Sequence, residues 1–260
     1  MSKAERGETF RALHSGEPFL ILNPWDAESA KRLQDLGAVA LASTSGGFAE
    51  RLGREDGDVT LEESVDHARE LSEATPLPVS MDLENGYGAE PAQAALTITS
   101  VGEAGAVGGS IEDWDRDDEV IYCLEHAVAR IEAAVEAARA LDFPFTLTAR
   151  AENYVRGVDD LDDTIARLQA FEAAGADVLY APRLNSYELI RAICESVSKP
   201  VNVLARPNLT MEGIVDAGGQ RISVGAQLWT LCRRVGFDRG MELAARMNDE
   251  GDFSLLAAEA

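Results

Sequence analysis

Lysine is nearly missing from this chain of 260 residues: only Lys3, Lys31 and Lys199 occur, and 23 basic residues face 46 acidic ones for a net charge of −23. A surface so anionic excludes nucleic acid as a partner, because phosphates need basic neighbours. It suits a salt-rich cytoplasm, where screening relieves the self-repulsion. Cysteine is scarce too. Cys123, Cys194 and Cys232 are odd in number, widely spaced and without a C-x-x-C pair, so neither a disulfide framework nor a zinc site follows. No apolar run reaches about 18 residues, and no charged-then-apolar amino terminus ends in a small-residue cleavage site. Neither a membrane span nor a signal peptide is expected, and the cytoplasm is the expected location. Walker motifs, serine nucleophile elbows and internal repeats are also lacking.

What the chain does have is regular alternation. Eight short apolar runs occur, at 19–22, 38–42, 79–84, 109–113, 145–150, 178–181, 200–205 and 222–225. Helix-period segments follow them, at 27–36, 60–74, 89–103, 125–141, 161–174, 186–197, 210–217 and 227–247. Thr60 with Glu63 forms a capping box, Ser186 is placed to cap its helix, and the acidic group from Asp159 to Asp163 suits a helix amino terminus. This order predicts an α/β fold, a (β/α)8 TIM barrel, with residues 1–260 as one domain. A doubly wound sheet would show fewer strands and a glycine-rich first turn. Here that turn is Asn23-Pro24-Trp25-Asp26.

In such barrels the site lies at the carboxyl ends of the strands. Polar residues gather there: Ser45, Gly46 and Gly47 after the second run, Asp82 and Glu84 after the third, Glu112 and Asp113 after the fourth, Arg150, Glu152 and Asn153 after the fifth, and Asn202 on the seventh. Asp82 and Glu84, one residue apart at a strand end, are predicted to share a face and to suit a hard cation such as Mg2+. Carboxylates facing one arginine imply a metal beside an anionic substrate.

Several motifs match one family. NPWDAESA at 23–30, DLENGYG at 82–88, SIED at 110–113, TAR at 148–150 and EAAGADVLYAP at 172–182 resemble the isocitrate lyase/phosphoenolpyruvate mutase superfamily, over nearly the whole chain. The resemblance implies a barrel whose last helix is exchanged between subunits of a homodimer or homotetramer. It also implies Mg2+, with Mn2+ as the alternative, and a small 2-oxo acid or carboxylate substrate.

Asp82 would be the principal metal carboxylate, with Glu84 and Glu112 on metal-bound waters. Asp56, in the LGRED stretch, Glu112 and Arg150 are the candidate catalytic residues, Arg150 neutralising an enolate oxygen. Ser45, Gly46 and Gly47 would bind the substrate carboxylate, with Arg150, Asn202 and Trp25 as further contacts, although packing at the barrel mouth is the leading reading of Trp25.

The implied activity is a Mg2+-dependent lyase acting on a 2-oxo acid or 2-hydroxy di- or tricarboxylate through a pyruvate-type enolate. Phosphonopyruvate C–P chemistry and a non-catalytic 2-oxo acid binder are the alternatives. One loop departs from the family. The lyases carry KKCGH or KRCGH after the fourth strand, whereas residues 114–126 read WDRDDEVIYCLEH. Cys123 lacks both the lysines and the Gly-His, so it is expected not to be catalytic. The run from Asp115 to Glu119 is expected to be a solvated loop, His14, His67 and His126 to be structural, and Trp229 and Phe237 to serve a subunit interface or the core.

Overall fold

A computed structural model describes residues 1–259. In chain order the elements are α1 (Lys3–Leu13), β1 (Phe19–Ile21), α2 (Ala27–Asp35), β2 (Leu41–Ala42), α3 (Ser45–Arg51), α4 (Leu61–Ala74), β3 (Val79–Asp82), α5 (Pro91–Ala104) and β4 (Gly108–Glu112). There follow β5 (Trp114–Asp115), β6 (Val120–Ile121), α6 (Leu124–Ala140), β7 (Thr146–Arg150), α7 (Leu161–Ala173), β8 (Val178–Tyr180), α8 (Tyr187–Ser196), β9 (Val201–Leu204), α9 (Met211–Asp216), β10 (Arg221–Ser223), α10 (Gln227–Val235) and α11 (Phe237–Glu250). A short 3-10 turn, Phe253–Ala257, comes last.

Eight strands pair in parallel in the order β1-β10-β9-β8-β7-β4-β3-β2. A single bridge between Leu22 and Leu41 joins the two ends. The result is the expected (β/α)8 barrel, with β5 and β6 forming a separate antiparallel hairpin above it.

Register then places the chemistry. Glu112 pairs with Arg150, Arg150 with Tyr180, Tyr180 with Asn202, and Asn202 with Arg221. Barrel strands tilt against the axis, so this row descends from the mouth, at Glu112, to the floor, at Arg221. On the floor lies α1. Its Phe10 fills the space that Gly108 leaves open, since a Cβ there would come 2.7 Å from the ring.

Arg221 is 5% exposed and makes no ion pair among the described residues. It donates to Asn202 Oδ1 (2.8 Å), Thr148 Oγ1 (3.0 Å) and His14 Nε2 (3.3 Å). His14 in turn donates from Nδ1 to the Phe10 carbonyl at 2.8 Å, the tautomer its neutral form requires.

Helix signals worked as physical chemistry requires. Thr60 and Glu63 form the capping box of α4, Ser186 caps α8, and Asp160 accepts from the Asp163 amide at the start of α7. Helix α4 buries Ser64, His67, Ala68 and Leu71, the three-and-four spacing of one helical face. Elsewhere the structure corrects the sequence reading. The polar start is α1, opened by a Ser2–Glu5 capping box. The serine-glycine stretch after β2 is α3. The closing helix is two helices, because Gly236 adopts φ 90 and breaks it. Asp115 ends β5, and residues 116–119 form the turn of the β5–β6 hairpin, with Asp117, Asp118 and Glu119 exposed as expected of a solvated loop.

His14 and His67 are structural, as expected; His67 stacks on Phe48 with ring centroids 3.8 Å apart. Burial pushes both imidazoles down to about 3 from an ordinary value near 6.5. Each therefore takes its proton more readily when unfolded, so its stabilising contribution is complete above about pH 6.5, shrinks as pH falls and is gone near pH 3. The gap in unfolding free energy between the protein and its His67→Phe variant is expected to change by about 1.4 kcal/mol per pH unit over that window. Urea titrations at several pH values give the gap, and a constant one would refute the assignment.

Candidate active site

The carboxyl ends of the strands converge on Arg150, at the end of β7. Its Nη1 lies 3.1 Å from Glu112 Oε2 and 3.5 Å from Asp82 Oδ1, and its Nε donates to Glu152 Oε1. Arg156, stacked 4.2 Å over the Trp114 ring, reaches Glu152 Oε2 at 3.2 Å and Glu112 Oε1 at 3.5 Å. Asp82 is oriented from β2: its amide donates to Ser43 Oγ at 2.8 Å, and its Oδ2 accepts from the Ser45 hydroxyl and amide at 3.2 and 3.3 Å.

Glu84 does not share a strand face with Asp82. The strand stops at Asp82, and Glu84 takes the left-handed conformation, φ 49, which turns its side chain back beneath the hairpin. There Arg116 meets it, Nη1 to Oε2 3.2 Å, while Nη2 donates to the Asp56 carbonyl at 2.8 Å. Glycine at 57 is what admits this arm: its φ is 95, and a Cβ would sit 1.0 Å from the Arg116 guanidinium. The Asn85–Ala89 loop is fixed by Arg130, which donates to the carbonyls of Asn85, Gly88 and Ala89 and lies against the Tyr122 ring.

Asp113 belongs to the scaffold. Its Oδ1 accepts the Glu152 amide at 2.8 Å and its Oδ2 pairs with Arg167 at 3.1 Å. Arg167 also reaches Asp163 and the Tyr122 carbonyl. One buried guanidinium thus ties β4, the loop after β7, the hairpin and α7 together.

Of the residues expected in the site, Ser45, Gly46, Asp56, Asp82 and Arg150 line one cavity of about 350 Å3, and Glu84 and Glu112 join them through Arg116 and Arg150. The others differ. The Gly47 amide donates to the Thr44 hydroxyl, the cap of α3, at 3.4 Å. Asn202 lies beneath Arg150 with its amide bonded to Ser223 and Arg221, and lines with Asp82 and Arg150 a smaller cavity of about 60 Å3. Trp25 is 3% exposed and packs edge-to-face on Trp229 and Phe237, so it is core rather than cavity wall. Cys123 is exposed at the start of α6. Sequence reasoning missed Arg116, Arg156 and Tyr180. The signal for Arg116 was a single basic residue inside the acidic run.

Five carboxylates (Asp56, Asp82, Glu84, Glu112 and Glu152) share this space with three guanidiniums, those of Arg116, Arg150 and Arg156. Burial, and then the neighbouring carboxylates, raise Glu84 to about 7 and hold Glu112 well above the ordinary range. Asp56 is raised for the same reasons. Tyr180 is pushed up to about 12 by burial, so its hydroxyl remains a donor at neutral pH.

The donor set fits a hard divalent cation: the ligands are oxygens, the five carboxylates outnumber the three guanidiniums among them, and Glu84 Oε1 is buried without a hydrogen-bond partner among the described residues. Those residues contain no ready cluster of three acidic, cysteine or histidine side chains about one point, because arginines stand between the carboxylates.

The family model for phosphoenolpyruvate phosphomutase matches residues 10–236. The chain belongs to that family. Among the relatives of this phosphomutase-family chain is the 2-methylisocitrate lyase of Escherichia coli K12, 32% identical over 211 residues, which cover 77% of this chain and 70% of the relative. An oxaloacetate decarboxylase of Bradyrhizobium diazoefficiens is 28% identical over 239 residues, 87% and 80% of the two chains. A crystal structure from Burkholderia cenocepacia J2315, provisionally assigned as a lyase/mutase, superposes with TM-score 0.86 at 46% identity and covers 99% of this chain and 93% of that one. A phosphonopyruvate hydrolase complex with oxalate and Mg2+ shares the fold, with TM-score 0.81 at 22% identity over 96% and 88% of the chains.

Proposed function

We propose that this phosphomutase-family protein is a Mg2+-dependent carbon–carbon lyase. It would cleave or decarboxylate a small 2-oxo acid, or a 2-hydroxy di- or tricarboxylate, by way of a pyruvate-type enolate. The observation that carries the reading is the set of carboxylate oxygens of Asp82, Glu84 and Glu112 gathered beside Arg150, with Glu84 Oε1 buried and without a hydrogen-bond partner among the described residues. Asp82, Glu84 and Glu112 are the residues to hold Mg2+ or Mn2+, directly or through water. The cation, when bound, supplies Lewis acidity toward the oxygen on C2.

The chain's own groups do the rest. Ser45 and the Gly46 amide orient the substrate carboxylate, and Arg150 presents a fixed positive charge to the oxygen that becomes anionic, without reorganising during the reaction. Tyr180 stays protonated beneath them. The names of the lyase and decarboxylase relatives support the same chemistry. Family resemblance also supports a homodimer or homotetramer.

The test is a turnover screen with oxaloacetate, 2-methylisocitrate, 2,3-dimethylmalate and phosphonopyruvate. Release of pyruvate from one of the carbon acids is expected, lost in EDTA, restored by Mg2+ or Mn2+, and absent from Asp82→Asn. Phosphate from phosphonopyruvate alone would replace this reading with C–P chemistry. A second reading, a 2-oxo acid binder, is favoured by one observation: the loop after β4 brings Arg116 to the site and leaves Cys123 at a helix start. Mg2+-dependent oxalate binding without turnover of any of the four compounds would select it.

A further inference from the structure

Two arginines at the mouth of the barrel take no part in the site described so far. Arg183 follows Pro182 just after β8, and Arg206 precedes Pro207 just after β9. Both line the 350 Å3 cavity that contains Ser45, Asp82 and Arg150. Both also line an adjoining cavity of about 400 Å3 beside Tyr154 and Asn185.

In a chain with twice as many acidic as basic residues, a guanidinium near the surface readily finds a carboxylate. These two do not. Among the described residues neither forms an ion pair. Among the described residues the Arg206 side chain makes no hydrogen bond, and that of Arg183 makes one, at 3.5 Å, to the Val155 carbonyl. Asp159 lines the adjoining cavity but pairs with neither.

Their backbones are constrained as well. Arg183 adopts φ 68, a left-handed conformation that a residue with a side chain takes at a free-energy cost and that clusters at functional sites. The proline after Arg206 restricts it to extended geometry. Free guanidiniums on such supports, opening into the same cavity as the proposed head site, are suited to a planar anion taken in fork geometry.

We infer that the substrate carries a distal carboxylate beyond its 2-oxo or 2-hydroxy acid head, and that Arg206 and Arg183 receive it. The inference rests on the head-site reading above. It narrows the substrate to a dicarboxylate or tricarboxylate and makes these two arginines the specificity determinants.

Calorimetric binding in saturating Mg2+ tests it with oxalate, 2-oxoglutarate and 2-oxopentanoate, the last two differing only in carboxylate against methyl at the far end. Wild type is expected to bind 2-oxoglutarate about tenfold or more tightly than 2-oxopentanoate. In Arg183→Gln/Arg206→Gln the ratio is expected to fall to near one with oxalate affinity unchanged. Arg206→Lys, which keeps the charge but loses the fork, is expected to give an intermediate ratio. A wild-type ratio near one, or a ratio that survives in the double variant, overturns the inference and leaves the head site standing. Loss of oxalate binding in both single glutamine variants overturns it too, by assigning the arginines to the head site. Failure of wild type to bind oxalate removes the head-site reading and this inference with it.

Discussion

Arg150→Gln is expected to lower kcat by about 10²–10³, the usual effect of removing one preorganised group from a developing oxyanion. The side chain is held by Glu112, Glu152 and Asp82 on one side and opens to the cavity on the other, so its charge is already in position when the enolate forms. Loss of activity alone would not separate catalysis from folding, but stability measurements do. Glu112 and Glu152 are 6% and 0% exposed, and removing one partner of a buried ion pair costs about 3–5 kcal/mol. The variant is therefore expected to melt well below wild type in EDTA. Mg2+ should then stabilise it more than it stabilises wild type, since Glu112 and Asp82 have lost the guanidinium that faces them. A kcat within a few-fold of wild type at saturating Mg2+ would refute the role given to Arg150.

The second large effect lies outside the cavity. Arg167→Leu is expected to destabilise the protein by about 3–5 kcal/mol, on the order of 10 °C in Tm for a chain of this size. Asp113, 3% exposed, would lose its only ion-pair partner among the described residues. Burial, only partly offset by the Glu152 amide and Arg167, already raises its carboxyl to about 6. Asp113→Asn in the Arg167→Leu background is expected to recover part of the loss, because the uncompensated charge is then gone. Differential scanning calorimetry of the two variants decides it: a Tm within about 2 °C of wild type for Arg167→Leu would show that the clamp contributes little.

Much of this architecture was legible in the residues, and the misses have identifiable causes. The eight strands were readable because each is a short apolar run between helix-period segments, and parallel barrel strands are buried on both faces. Asp82, Ser45 and Arg150 were found together because barrel topology alone brings strand ends to one mouth, whereas Asp56 came only through the family resemblance of the LGRED stretch. Helix α3 was not visible, since Gly46 and Gly47 in its first turn carry no helical preference. Nor was the break at Gly236, where a positive φ interrupts an otherwise continuous helical pattern.

Side-chain geometry was the other limit. Nothing in the spacing Asp-Leu-Glu reveals that Glu84 turns left-handed, and nothing in the tryptophan of NPWD says that Trp229 and Phe237 will cover it. Arg116 and Arg167 act across 32 and 54 positions of sequence, from 84 and 113 respectively, a separation at which local pattern carries no information.

The seam of the barrel has a dynamic consequence. Seven strand pairs are continuous ladders, whereas β1 and β2 meet through one bridge, Leu22 with Leu41. Local opening follows the line of fewest backbone hydrogen bonds, so the ring breathes there before it loosens anywhere else. Ser43 and Ser45, which orient Asp82, hang from the loose side of that seam. A ligand that fixes Asp82 therefore tightens a joint on the opposite edge of β2, and slower exchange of the Ala42 amide, which donates across the seam to the Leu22 carbonyl, becomes a remote gauge of occupancy at the mouth.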